Sequence, residues 1–180
     1  MSAPARIRLE RPSARHRARF LAAVRRSRRL HAPWASPPAS TAAYAAYLRR
    51  LGTSSHLGHL VCVRDSGDLV GVVNISEIVR GVFRSAYLGY YAFVPHAGRG
   101  LMREGLMRVI TDAFRRHRLH RLEANIQPGN RASLRLVRRL GFKREGYSRR
   151  YLKIRGRWCD HERWAILADD WQAVISGRAR

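Results

Sequence analysis

Cysteine is nearly absent from this 180-residue chain: only Cys62 and Cys159 occur, each inside a strand-like stretch. Two thiols are too few for a disulfide framework or a zinc site, so both read as buried side chains. Acidic residues are also scarce, 12 Asp and Glu against 36 Lys and Arg, for a formal net charge of +24. Lysine is confined to Lys143 and Lys153, so arginine carries the charge. Such an excess attracts polyanions such as RNA, with a steep salt dependence, and it equally favours polyphosphate cofactors. No apolar run approaches the roughly 20 residues that a membrane-spanning helix needs, so no membrane association is expected. Met1 to Arg8 lacks the apolar segment of a secretory leader, which gives the expectation of a cytoplasmic protein. There are no internal repeats or low-complexity segments. With 46% hydrophobic residues, one domain spanning 1–180 with an ordinary core is expected.

What is present alternates between strand and helix patterns. Ile7-Arg8-Leu9-Glu10 reads as a first strand, and Ser13 as the N-cap of a helix carrying Phe20, Leu21, Val24 and Leu30. Pro33, Pro37 and Pro38 around Trp34 end it, and a second helix is predicted over Ala42 to Leu51. Two strands, His59 to Arg64 and Leu69 to Ile75, flank the turn Asp65-Ser66-Gly67-Asp68. A third, Ala86 to Val94, stops at Pro95. A helix then opens at Gly98 to Gly100, with Leu101, Met102, Leu106, Val109, Ile110, Ala113 and Phe114 on its apolar side and Gly105 permitting close packing. Leu122, Ala124 and Ile126 alternate with Arg121, Glu123 and Asn125 along the next strand. Asn130 caps a helix with Leu134, Val137 and Leu140, closed by Gly141, and Tyr151 to Ile154 forms a hairpin with Trp158 to Leu167. The fold class is α/β with a mixed sheet.

Two segments carry chemistry. Val94-Pro95-His96-Ala97-Gly98-Arg99-Gly100-Leu101 runs from strand end through glycine turn to helix start. Glycines let a backbone approach a ligand, and the first amides of a helix bind phosphate oxygens. Gly98, Gly100 and the amides of Arg99, Leu101 and Met102 are therefore candidates for a pyrophosphate cradle. An ordinary strand-to-helix turn would look the same in isolation. In the second segment, Asn125 through Ser133 followed by Leu140-Gly141-Phe142, Asn130 and Ser133 share one helix face. Asn130 is at least a cap, and Ser133 is either a surface residue or a hydrogen-bond donor to a thiolate.

Taken together and in this order, the segments resemble the GNAT superfamily of acetyl-CoA-dependent N-acetyltransferases. Glu10-Arg11-Pro12-Ser13, His31-Ala32-Pro33-Trp34, Val79-Arg80-Gly81, Tyr87-Leu88-Gly89-Tyr90, Gly100-Leu101-Met102, His120-Arg121 and Glu145-Gly146-Tyr147 with Tyr151-Leu152 resemble its RimJ subfamily. The resemblance extends from Ile7 to about Trp171. It implies a mostly antiparallel sheet flanked by helices, splayed at the acetyl-CoA site. It also implies transfer of acetyl to the N-terminal alanine of a small-subunit ribosomal protein, and contact with the ribosome or rRNA through the basic surface. The backbone of Phe93 and Val94 would pair with the pantetheine amides, Gly98 through Met102 would hold the pyrophosphate, Asn130 would contact the pantetheine arm, and Ser133 would lie near the sulfur. Trp34 and Tyr87 would line the acceptor site. No metal is implied.

Two positions depart from the family pattern. The strand position that often holds a glutamate base is Tyr87, and the position of the frequent tyrosine acid is Val137. Ser133 then becomes the candidate to stabilise the leaving thiolate. Among Glu77, Glu104 and Glu123, Glu77 ranks first as a base, although each of the three also reads as structural. The pairs His56/His59 and His117/His120 read as surface histidines, and Arg115-Arg116 and Arg138-Arg139 as solvated helix faces. Other readings are an acetyltransferase of an antibiotic, a polyamine or an amino acid, and an RNA-binding ribosome-assembly factor of the same fold. The charge opposes a polycationic acceptor.

Overall fold

The computed structural model describes residues 5–177. Seven strands, β1 (Ile7–Glu10), β2 (Leu57–Val63), β3 (Leu69–Val79), β4 (Ser85–Ala92), β5 (Arg121–Ile126), β6 (Lys143–Ile154) and β7 (Arg157–Leu167), are hydrogen-bonded in the order β1-β2-β3-β4-β5-β7-β6. The β1–β2, β5–β7 and β6–β7 pairs are antiparallel, whereas β4 and β5 are parallel. That parallel pairing covers three positions and ends at Tyr87↔Glu123, although both strands continue. The α/β class, the mixed sheet and the splay match the expectation from sequence. The described residues fall into two compact units, one reaching to Asn74 and including Tyr90–Leu106, the other formed by Ile75–Gly89 and the described chain after Leu106.

In the first unit, helices α1 (Arg17–Arg26) and α3 (Thr41–Arg50) bury one stripe each. Phe20, Ala23 and Val24 meet Tyr44, Tyr47 and Leu51 over Leu60, Cys62, Leu69 and Val72. Two phenols of this cluster find polar partners, Tyr44 Oη donating to the Ser13 carbonyl (3.0 Å) and Tyr47 Oη to Asn74 Oδ1 (2.8 Å), whereas the buried Tyr91 hydroxyl has none among the described residues. Burial also raises the Cys62 thiol to about 11, so it is an inert core thiol. Ser40 caps α3, its Oγ accepting from the Ala43 amide at 3.1 Å. Two expectations change here. Ser13 heads a 3₁₀ turn, Ala14–His16, ahead of α1, and Leu30 falls in a separate short helix, α2 (Arg28–His31), where it is exposed.

Helix α4 (Leu101–Arg115) buries Leu101, Met102, Leu106, Val109, Ile110, Ala113 and Phe114, the stripe read from the sequence. A Cβ at Gly105 would lie 2.6 Å from Val61 Cγ2 and 2.8 Å from Cγ1, so glycine is what lets the helix approach β2.

In the second unit, β5 alternates as expected, with Leu122, Ala124 and Ile126 buried. Helix α5 (Arg131–Arg139) buries Leu134 and Val137, and Gly141, at φ 83°, closes it as the Phe142 amide returns to the Val137 carbonyl at 3.1 Å. Strand β6 begins at Lys143, eight residues earlier than the pattern suggested, because its residues are polar on both faces. Helix α6 (Ala168–Ile175), not anticipated at all, seats the buried Trp171, whose indole N–H donates to Thr111 Oγ1 at 3.0 Å. Arg138 is not simply solvated: its guanidinium lies 5.1 Å from the centre of the Trp164 ring. Among the described residues, no helix is long and apolar enough to cross a membrane.

Gly105→Ala decides between two opposing effects. Helix propensity favours alanine by about 1 kcal/mol. Overpacking against a β-branched neighbour held in a strand costs about 1–3 kcal/mol. Urea denaturation should show the variant less stable than wild type, and a gain in stability would refute the close-packing account.

Candidate active site

The end of β4 is fixed from beneath. Phe93 is fully buried, its ring 5.9 Å from Phe20, 5.7 Å from Tyr91 and 5.7 Å from His31. Its amide donates to the Val70 carbonyl at 2.7 Å, and its own carbonyl accepts from the His96 amide at 3.1 Å. Both backbone groups expected to pair with pantetheine at Phe93 thus already have protein partners. At Val94 the amide donates to a side chain, Ser27 Oγ, at 3.0 Å. His31 Nε2 lies 2.7 Å from the Ala92 carbonyl, so that nitrogen carries the proton and Nδ1 is the bare one. Burial holds the His31 pKa below its ordinary value and keeps the ring neutral. Gly71 lets β4 and α4 come together: a Cβ there would sit 2.4 Å from Met102 Sδ and 2.5 Å from the Tyr91 carbonyl.

The chain then turns into α4. Gly98 and Gly100 have φ 80° and 79°, the left-handed region. No atom lies within 4 Å of a Cβ built at Gly98, and at Gly100 only Arg6 Nη2 does, at 3.6 Å. Glycine is needed here for backbone shape, and the surrounding space is open. The Gly100 carbonyl accepts from the amides of Arg103 (3.1 Å) and Glu104 (3.3 Å), so the helix begins there. The Leu101 and Met102 amides fall in its first turn, where a helix offers no internal acceptor and anions bind. Arg99 is exposed beside them. Glu104 pairs with Arg6, its Oε1 2.6 Å from Nε, and so reads as a structural carboxylate.

The second motif lies at the end of β5. Asn130 caps α5, Oδ1 accepting from the Ser133 amide at 3.2 Å, which places Ser133, half-buried, in the first turn. Val137 is fully buried, so the tyrosine position of many family members is core here. Asn125 Oδ1 is buried with no hydrogen-bond partner among the described residues. A buried unsatisfied acceptor is costly unless something fills it, which suits an amide N–H from a bound ligand.

Beside this motif, Tyr87 of β4 and Tyr151 of β6 place their hydroxyls 3.4 Å apart. That hydrogen bond first, then burial, then the charges of Tyr151 and Glu123 push the Tyr87 phenol up to about 12. Tyr87 is therefore no base. Glu123 is held by Arg121, Nε to Oε1 at 2.9 Å, and the same guanidinium grips Glu145, Nη1 to Oε1 at 2.9 Å. Glu77 does not follow β3, as expected, but sits inside it, exposed, with φ 51°. Trp34 is half-buried just after α2, its amide donating to the His31 carbonyl at 2.8 Å. His117 Nε2 lies 3.6 Å from Asp112 Oδ2. Among the described residues, no three His, Cys, Asp or Glu side chains are grouped to hold a metal ion.

Sequence reasoning missed Ser27, Gly71 and Tyr151 as parts of these arrangements. Ser27 follows an arginine-rich helix with no motif around it. The Tyr87–Tyr151 pair depends on strand order, which no local pattern contains.

Two predictions follow from this geometry. Gly98→Val forces a β-branched residue into left-handed backbone with open space around it. It should fold with a loss of about 1–2 kcal/mol, yet calorimetry should show acetyl-CoA binding weakened about tenfold or more; unchanged affinity would exclude the turn from the site. Tyr87→Phe should leave the shape of the pH–turnover curve unaltered between about pH 6 and about pH 9, because the phenol stays protonated throughout. A lost basic limb in that variant would make Tyr87 a titrating catalytic group.

Comparison with known proteins places the fold in a family. The family model described as "Acetyltransferase (GNAT) domain" matches residues 6–143. The [ribosomal protein uS5]-alanine N-acetyltransferase of Escherichia coli (strain K12) is 43% identical over 107 residues, 59% of this chain and 55% of the relative. The chain thus spans about half the length of the curated relatives it matches. The crystal structure of ribosomal-protein-S5-alanine acetyltransferase from Vibrio fischeri superposes with a TM-score of 0.80 at 26% identity, covering 92% of this chain and 95% of that one. The spermidine N-acetyltransferase of Vibrio cholerae, solved with CoA and spermine, shares the fold at a TM-score of 0.78 and 22% identity, covering 93% of this chain and 98% of that one. The chain belongs to the GNAT family of N-acetyltransferases.

Proposed function

We propose that the protein transfers acetyl from acetyl-CoA to the N-terminal alanine of a small-subunit ribosomal protein, in the cytoplasm. The observation that carries the reading is the glycine turn at the start of α4: two left-handed glycines in open space beside the first helical amides, a backbone built for a pyrophosphate. The acceptor assignment is supported by the 43% identity to an enzyme named for uS5-alanine acetylation. The polyamine reading has only a shared fold behind it, and a net charge of +24 repels a polycation.

The chain's own residues divide the work as follows. Gly98, Gly100 and the amides of Leu101 and Met102 hold the pyrophosphate. The Arg99 amide already donates to the His96 carbonyl at 3.4 Å, so Arg99 adds charge through its side chain. Pantetheine pairing falls to Val94 rather than Phe93. The Val94 amide is held by a serine hydroxyl, which can rotate away, whereas the Phe93 amide is held within the backbone. Asn130 and the unsatisfied Asn125 Oδ1 supply polar contacts to the arm. The acceptor's α-amine, with a pKa near about 8, is partly neutral at physiological pH and attacks the thioester carbonyl directly. The carbon–sulfur bond breaks, the thiolate leaves, and the Ser133 hydroxyl stabilises it. The amine's proton passes to water, with Glu77 as the candidate carboxylate beyond it. Trp34 and Tyr87 position the acceptor.

Thiol release with a panel of acceptors tests this. Peptides beginning with Ala should be acetylated, and spermidine and an aminoglycoside should not. Ser133→Ala should lower kcat roughly ten- to a hundredfold with little change in the KM for acetyl-CoA. Turnover on spermidine alone would keep the chemistry and discard the acceptor.

A further inference from the structure

The β6–β7 hairpin has a property that acetyl transfer does not require. From Arg149 to Trp158, five of ten residues are cationic (Arg149, Arg150, Lys153, Arg155 and Arg157) and none is acidic, against one cation in five along the whole chain. At the root of the hairpin the charges are matched: Arg144 Nε meets Glu162 Oε2 at 3.1 Å, Lys143 Nζ meets Asp170 Oδ1 at 2.9 Å, and Glu145 is held by Arg121. Towards the tip, none of the five cations lies within 4 Å of a carboxylate oxygen among the described residues. Asp160, the nearest acid in sequence, accepts from the Tyr147 hydroxyl (2.6 Å) and the Arg150 amide (2.7 Å).

An aromatic side chain stands among these charges. Trp158 is 60% exposed, and its strand partner across the ladder is Lys153. Residues opposed in register share a face, so a bare indole and an ammonium project together. The two-residue turn Arg155-Gly156, with φ 50° and 81° between the paired Ile154 and Arg157, is the tight type that matches strand twist and stiffens the ribbon.

We propose that the distal β6–β7 hairpin docks RNA, its cations contacting phosphates while Trp158 stacks on an unpaired base. Exposed aromatics inside a basic groove or ribbon are what single-stranded nucleic acid requires. A lipid surface fits less well. Leu152 pairs with Cys159 and so lies on the face opposite Trp158, which leaves no continuous apolar face to enter a bilayer. A second copy of the chain would bring five like charges against five. The inference stands whichever amine is acetylated, because Lys153, Arg155, Arg157 and Trp158 are not among the residues assigned to transfer.

The test is fluorescence anisotropy with a labelled single-stranded RNA of about 20 nucleotides, mixed in sequence, across a salt series. Trp158→Ala should weaken binding roughly tenfold. Because the indole is mostly solvent-facing, circular dichroism should show the fold intact. The triple variant Lys153→Gln, Arg155→Gln, Arg157→Gln provides a second, independent reading, in which the slope of log affinity against log salt should become shallower by about two. A control triple, Arg25→Gln, Arg49→Gln, Arg108→Gln, removes the same charge elsewhere and should leave that slope unchanged. The proposal is overturned if both triples behave alike, if Trp158→Ala binds as wild type does, or if the RNA does not bind. It is likewise overturned if phosphatidylserine vesicles are bound in preference, or if Trp158→Ala dissociates a dimer in sedimentation. None of these readouts involves turnover, so failure here and failure of the acceptor assignment are separable.

Discussion

The amide of Phe93 donates to the carbonyl of Val70 while its ring is enclosed by Phe20, Tyr91 and His31, and this fixes where β4 stops. Everything that follows in the glycine turn depends on it. With the strand end held, the chain has seven residues, Val94 to Gly100, in which to reverse and enter α4, and two of the last three φ angles before the helix must be left-handed. Only glycine adopts that backbone cheaply, and the outcome is a helix start preceded by two glycines in open space. Aromatic packing is thus the support for the glycine turn several residues further on.

The second constraint is the early end of the β4–β5 pairing at Tyr87↔Glu123. The Val94 amide resorts to a serine hydroxyl, and Asn125 Oδ1 is buried without a donor. A buried side-chain acceptor left without a donor, as Asn125 Oδ1 is, is expensive in a packed domain. The carboxylates are arranged in the opposite sense: Glu104 and Glu123 are both gripped by arginines, which suits a reaction whose amine arrives partly neutral.

Much of this was legible in the sequence, for identifiable reasons. Leu122, Ala124 and Ile126 repeat at the strand period, and the apolar stripe of α4 at the helical one, so both elements emerged with their buried faces. Gly105 announced a close approach, and the structure supplies Val61 as its object. The Asn130 cap was readable because capping is local. Strand β6 was half lost because its pattern is polar on both faces, and periodicity has nothing to detect there. Tyr151, Ser27 and Gly71 acquire meaning only from residues 64, 67 and 20 or more positions away. Glu77 was placed just after β3 because no residue near it signals a left-handed bulge inside a strand.

The central claim is that a backbone cradle at the start of α4 binds the pyrophosphate of acetyl-CoA. Calorimetric titration with acetyl-CoA and with acetyl-pantetheine, which carries the same thioester and arm but no pyrophosphate, tests it most directly. The account predicts measurable binding of acetyl-CoA and an affinity for acetyl-pantetheine lower by about a hundredfold or more. Equal affinities would contradict it, since the cradle would then contribute nothing to recognition.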